Sequence, residues 1–386
     1  MWKKLIGALL VLVIAASAVS LSLAVEQKST IQQRTQFPAN IPTSSSVYVI
    51  NDTLMKNTNI KTLYNMLRNK IAKEHRFQII LVKLNENEKR TVLKAWFKAL
   101  GEFGHKLSVI PVKRVSHDKR SIEIDDRLLK ADIVALSCNP DGIFVAEKTN
   151  DPTKDIAMII KTFDEVRAES TNIKNFNYIG YVGWITKDQN NVGKETVKVD
   201  YYIAKTTVGG KTYRFFLALP QHSALGYDGY SPKKFTTITD WNTDIWEGQV
   251  LHDWGPKNEG SNTQVSYTLT ASAGFQGEEP VAIASATISY SVQGGLKIKW
   301  IDQTSPDTGC VKTIHEIPDS SSGVTYTVEP SSIGLLDPNK PGGFLPMIVD
   351  HDFKVELQKP VWWWTDTKTI DINFSVALYD NSVNKI

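Results

Sequence analysis

The chain has 386 residues, of which 41% are hydrophobic and 22% charged, with a net charge of +3. That balance excludes a disordered chain, and the length calls for about two domains. Lysines alternate with carboxylates, so there is no concentrated basic face, and nucleic acid is not an expected partner. The two cysteines allow at most one internal disulfide. Cys138 and Cys310 fall in different predicted domains, so free, mostly buried thiols are the simpler expectation.

Lys3 and Lys4 precede an apolar run from Leu5 to Val25. A positive end before an apolar stretch is the pattern of an export signal, with the lysines held on the cytoplasmic side. Small residues at Ala16 and Ala18, or at Ser22 and Ala24, suit a signal peptidase. A run of about 20 residues also spans a bilayer core. Residues 1–25 are therefore a signal peptide or an N-terminal membrane anchor. Either fate makes the rest extracytoplasmic, secreted or membrane-anchored at the N-terminus, with the membrane as partner of that segment. Residues 26–46 form a polar linker without apolar periodicity.

Strands and helices alternate over residues 47–168. Val47–Ile50 is a short strand. Ile60, Leu63, Leu67 and Ile71 repeat at helical spacing, and Phe77–Leu84 is a strongly apolar strand. Asn85 caps the next helix, with Glu88 three residues on as its capping-box partner. That helix buries Val92, Leu93, Trp96, Phe97 and Leu100, and Gly104 closes it. Leu107–Val112 follows as a strand. Residues 132–138 and 143–147 form a hairpin across Asn139-Pro140-Asp141-Gly142. Asp151 caps a last helix with Pro152 at its first position and an apolar stripe from Ile156 to Val166. Such alternation predicts a helix-covered, mostly parallel α/β domain.

After Glu169 the text changes. Residues 171–178 read as an asparagine-rich linker. No helix is evident beyond them, and short β-branched and aromatic runs alternate with turn residues. Val208-Gly209-Gly210-Lys211 marks a hairpin. Residues 178–386 are expected to be an all-β sandwich-like domain. The fold class is thus α+β and multidomain, the α/β domain preceding the all-β one.

One pair of runs stands out. In Val265–Phe275, Val265, Tyr267, Leu269, Ala271 and Ala273 share one side, and Ser266, Thr268, Thr270 and Ser272 the other. In Val281–Val292, Ala282, Ala284, Ala286, Ile288, Tyr290 and Val292 alternate with Ile283, Ser285, Thr287, Ser289 and Ser291. Each run approaches the roughly 9–11 residues with which a tilted strand crosses a bilayer. The pair resembles the membrane-inserting hairpins of β-barrel pore-forming proteins, and the resemblance covers this hairpin only. It implies that Leu269, Ala271, Ile288 and Tyr290 lie on the membrane-active side. It also implies joining to other copies, since a lone hairpin leaves open edges in lipid. A long solvent-facing hairpin of a sandwich gives the same alternation.

Trp362, Trp363 and Trp364 are consecutive, and Trp254 lies near Trp241 and Trp246. Successive strand residues face opposite ways, so at least one indole of the triplet should reach solvent. Trp362, Trp363, Trp364 and Trp254 are the candidate binding aromatics, suited to a glycan, lipid or protein partner of the β domain. Packing within the domain is the alternative. No histidine pair has zinc-ligand spacing. Asp350 and Asp352 flank His351 on one strand side, where surface chemistry is expected rather than a cation site. Ser223 lacks a nucleophile-elbow context, and no glycine fingerprint marks a nucleotide site. No catalytic residue, metal site or cofactor is expected. The leading expectation is a non-catalytic binding or structural protein outside the cytoplasm. The alternatives are a β-hairpin pore-forming protein and an exported enzyme of unknown class.

Overall fold

The structure is a computed structural model that describes residues 46–74, 76–103, 107–114, 123–138, 141–164, 171–186, 191–273, 280–341, 343 and 346–380. The expected leader, nearly all of the linker, Gly104 and residues 274–279 lie outside this set. In chain order the elements are β1 (Ser46–Asn51), α1 (Asp52–Lys56), α2 (Ile60–Lys73), β2 (Phe77–Val82), α3 (Glu86–Glu102), β3 (Val109–Val112), α4 (Arg127–Lys130), β4 (Ile133–Cys138), β5 (Gly142–Ala146) and α5 (Pro152–Asp164). Among the described residues strands alone follow, apart from two single-turn segments: β6 (Thr171–Lys174), β7 (Asn177–Ile185), β8 (Gly193–Val208), β9 (Lys211–Gly226), β10 (Ser231–Asp240), β11 (Gln249–Gly255), β12 (Glu259–Asn262), β13 (Val265–Ala273) and β14 (Val281–Tyr290). The last are β15 (Ile298–Asp302), β16 (Cys310–Glu316), β17 (Thr325–Val328), β18 (Ser331–Leu336), β19 (Met347–Val361) and β20 (Trp364–Leu378).

Among the described residues the strands form three sheets. The central one runs β1-β2-β4-β5-β7-β8-β9-β18-β11, with β17 also on β9. A second runs β12-β15-β16-β10-β19-β20-β3, and a small third one is β13-β14-β6. Alternation along β8 shows how they stack. Val197, Val199, Tyr201 and Ile203 join a core that also holds Phe353, Phe374 and Val376 of the second sheet. Tyr202 and Ala204 point the other way, into the apolar cluster of β13 and β14. The central sheet is therefore covered on both sides. At its β1–β5 end, α2 and α3 pack Leu63, Leu67, Val92 and Trp96 on one side. There α5 packs Ile156, Ile159, Ile160 and Phe163 on the other.

Local rules explain these elements. Asn85 accepts from the Glu88 N–H while Glu88 accepts from the Asn85 N–H, the reciprocal box that starts α3. Asp151 accepts from the Lys154 N–H at the start of α5. Gly209 and Gly210 have φ of 58° and 78°, a backbone region open to glycine, and close β8 on β9. Cys138 and Cys310 are both free, and burial pushes the Cys138 thiol up to about 12.

The expected helix-covered, mostly parallel α/β domain is corrected. The molecule is mostly β, and β1–β5 are the end of a sheet that continues without a break into β7, β8 and β9. Within it β1–β2 and β5–β7 are parallel, but β2–β4 and β4–β5 are antiparallel. Apolar strands separated by amphipathic helices give the same text whether the sheet ends there or runs on. Strand direction is set by connections that the periodicity does not report. Thr171–Lys174, read as linker, is strand β6 against β14.

Candidate membrane-active surface

The hairpin β13–β14 is in register from Val265 opposite Tyr290 to Ala271 opposite Ala284, with a shift just after. Leu269, Ala271 and Ala286 are fully buried, Ile288 is nearly so, and Tyr290 is buried. Leu269, Ala271, Ile288 and Tyr290, the residues expected on the membrane-active side, thus all lie on the inner side. They pack in one cluster with Phe215, Leu217 and Ile333 of the central sheet. The outer side is a ladder of hydroxyls: Ser266 meets Ser289 at 2.8 Å and Thr268 meets Thr287 at 3.0 Å. Neither strand carries a charged residue.

Three kinds of contact hold the hairpin down. The Tyr267 hydroxyl donates to the Glu329 carbonyl at 2.6 Å, and its ring lies on Gly255, where any Cβ would come within 2.2 Å of it. The Tyr290 hydroxyl meets His315 Nε2 at 2.5 Å. On β14 the outer edge is paired with β6. On β13 the outer edge faces two side chains of β11: Thr270 N–H donates to Asp253 Oδ2 at 2.8 Å and Ser272 N–H to His252 Nε2 at 3.1 Å.

The Trp triplet occupies the tip of another hairpin. β19 and β20 pair over fifteen residues each, up to Val361 opposite Trp364, so Trp362 and Trp363 form the turn. β10 accompanies β19 only as far as Gln358. Three more residues carry the tip about 10 Å past that neighbour at strand rise. Trp362, Trp363 and Trp364 are 96%, 87% and 64% exposed. Trp362 has φ of 44°, unusual for a bulky residue. Its ring stands edge-on to that of Trp363 at 5.9 Å. Below the tip the Tyr230 hydroxyl hydrogen-bonds Asp366 and holds its carboxyl below the usual range, assisted by Lys368. Trp254 is placed differently. It is half-buried, donates to Asp302 at 2.9 Å and lies under the Lys257 ammonium.

His222, His315 and His351 belong to the core. His222 and Glu195 are fully buried and 2.6 Å apart, with Thr237 on the other ring nitrogen at 3.0 Å. Burial raises the Glu195 carboxyl and lowers the His222 imidazole to about 3, both in favour of the uncharged forms of this pair. The sequence did hold a signal for it. Register counted from the Gly209-Gly210 turn puts Val197 opposite His222, with Glu195 diagonal on the same side. Asp350 and Asp352 do share a side, and both face Arg114, at 3.1 Å and 3.7 Å, while His351 turns inward to Tyr201. Among the described residues no group of three His, Cys, Asp or Glu could hold a metal ion. No helix among them is long and apolar enough to cross a membrane, which does not bear on strands.

No protein-family model matches the chain, and no curated protein matches it by sequence. Among solved structures it is similar to the Clostridium perfringens delta-toxin, at 10% identity and a TM-score of 0.36 over 56% of this chain and 99% of that one. It is similar to a structure described as a pore forming protein, at 8% identity and a TM-score of 0.31 over 53% and 96%. It is also similar to the Clostridium perfringens NetB toxin in its membrane-inserted form, at 5% identity and a TM-score of 0.26 over 54% and 100%. Two of these three proteins are named as toxins and one as a pore forming protein. At TM-scores this low the likenesses bear no weight, and the case for function stays with the chain's own geometry.

Proposed function

We propose that this protein is a β-hairpin pore-forming protein that acts on membranes and has no catalytic role. The observation that carries the reading is the hairpin β13–β14: two uncharged strands with one apolar side and one hydroxyl side, lying as a separate small sheet on a larger one. The strands have nine and ten residues, the span a tilted strand needs to cross lipid. The inner side that now packs on β8 and β18 would face acyl chains, and the hydroxyl ladder would face a water-filled lumen. Several copies would contribute hairpins, so that every backbone group is paired within a closed barrel. Trp362, Trp363 and Trp364 fit the docking step. Exposed indoles on a projecting tip suit the headgroup layer, where the ring is buried and its N–H stays wet. Lys3, Lys4 and the run to Val25 support a chain that meets its target membrane from outside the cytoplasm.

The test is dye release from lipid vesicles by the full chain and by a Lys174→Cys, Ser285→Cys variant. These two positions are partners between β6 and β14, at a separation a disulfide can bridge. Oxidised, the hairpin is tied down and release should stop; a reductant should restore it. Failure of the wild-type chain to release dye, or release by the oxidised variant, would sink the reading.

A further inference from the structure

The open edge of β13 is closed by side chains where a strand would otherwise lie. β11 and β18 pair with Leu251 opposite Gly334 and Asp253 opposite Ile333, which leaves His252 as an extra residue, a β-bulge. A bulge re-aims side chains and breaks strict alternation. Here it lets two consecutive residues, His252 and Asp253, both reach the same neighbour. They take the N–H groups of Ser272 and Thr270, which are alternate residues of β13 and so point out of the same edge.

Both acceptors are held in place. Asp253 Oδ1 takes the Lys257 ammonium at 2.6 Å and the Trp254 N–H at 2.9 Å. Lys257 also lies 4.5 Å from the centre of the Trp254 ring, whose own N–H is fixed by Asp302. The His252 ring stands edge-on to Phe215 at 4.9 Å. To accept at Nε2 it must be neutral, with its proton on Nδ1.

We propose that His252 and Asp253 form a latch that keeps the hairpin's open edge shut, and that its release is the step that frees β13 to pair with a second copy of this chain. In the closed form both edges of the hairpin are occupied, β14 by β6 and β13 by the latch. A bare strand edge is a template for another chain. The latch therefore keeps the single copy from joining others before it should, by holding two N–H groups of the row that a barrel needs, those of Thr270 and Ser272. The role in assembly rests on the pore-forming reading, whereas the latch itself does not.

The test compares hydrogen exchange of residues 265–273 in the full chain with that in two double variants. His252→Leu with Asp253→Leu removes both acceptors. His252→Gln with Asp253→Asn keeps an acceptor at each position. A single Asp253→Ala variant, which frees the Thr270 N–H but leaves His252 on Ser272, supplies the same comparison should the leucine pair not fold. Exchange of this segment should rise about tenfold or more in the leucine pair, stay near wild type in the amide pair, and leave the rest of the chain unchanged. Unchanged protection without the acceptors would overturn the latch. So would a rise spread over the whole chain, or equal loosening in the amide pair. Vesicle leakage is read on the same samples. If exchange responds as expected and none of the proteins leaks vesicles, the latch stands and the pore-forming reading fails.

Discussion

Acid should loosen this protein through three imidazoles. His222, His315 and His351 are between 0% and 1% exposed, and burial lowers each from 6.5 to about 3, with His315 adding to the effect on His222. The unfolded chain takes up a proton at each near pH 6.5, and the folded one does not until about pH 3. Stability is therefore complete above pH 6.5 and drains away as the pH falls toward 3. At pH 5.0 each such histidine costs about 2 kcal/mol relative to pH 7.5. Glu195 works in the opposite sense. Its raised folded value lets the fold keep a proton that the unfolded chain gives up, so acid favours the fold there until the ordinary carboxylate range is reached. It therefore acts against its neighbour His222, 2.6 Å away. His315 and His351 together account for a loss of about 4 kcal/mol between pH 7.5 and 5.0, opposed by the half-buried Asp240 and buried Asp350 carboxyls, which are also raised. Urea unfolding at the two pH values measures it directly. His351→Gln should lower stability at pH 7.5 and give back about half of the acid-dependent loss. An equal midpoint at both pH values, or a variant that keeps the full pH dependence, would refute the reasoning.

Three further outcomes are expected. Glu195→Gln removes the group that opposes acid, so the loss of stability between pH 7.5 and 5.0 becomes larger than in wild type, read by the same unfolding series. Leu269→Ala empties a fully buried position under the hairpin and should cost about 2–5 kcal/mol in denaturant unfolding. Trp362→Ala with Trp363→Ala changes two indoles that are 96% and 87% exposed. Stability should stay within about 0.5 kcal/mol per site, while vesicle binding measured by co-sedimentation falls several-fold.

What sequence revealed and what it hid separates by the range of the interaction. The Asn85–Glu88 box spans three residues, and the turn at Gly209-Gly210 needs only two glycines, so both were legible. The two sides of β13 and β14 were legible because alternation is a local property, and the strands pair in the expected antiparallel way. The continuity of the central sheet was not. It depends on β5 finding β7, which is parallel to it across an intervening helix, and no single-strand pattern encodes a neighbour. The latch was hidden for a different reason. A bulge at His252 reverses the side expected from counting residues, and counting is all that a sequence allows. At the Trp triplet, alternation promised one exposed indole. All three are exposed, because Trp362 and Trp363 are turn residues, which do not obey the strand period, and Trp364 opens β20 beside them.

The pairing of β3 with β20 has a consequence for how the protein is made. Residues 109–112 find their sheet only on residues 375–378, and Arg127 donates to Asn373, 246 residues further on. At ordinary translation speeds a ribosome needs about 10–50 s to cover such a stretch. Until then β3 lacks the strand it pairs with. The hazardous period for this molecule thus falls during synthesis, and a truncation that removes only the final strand should leave β3 without its partner.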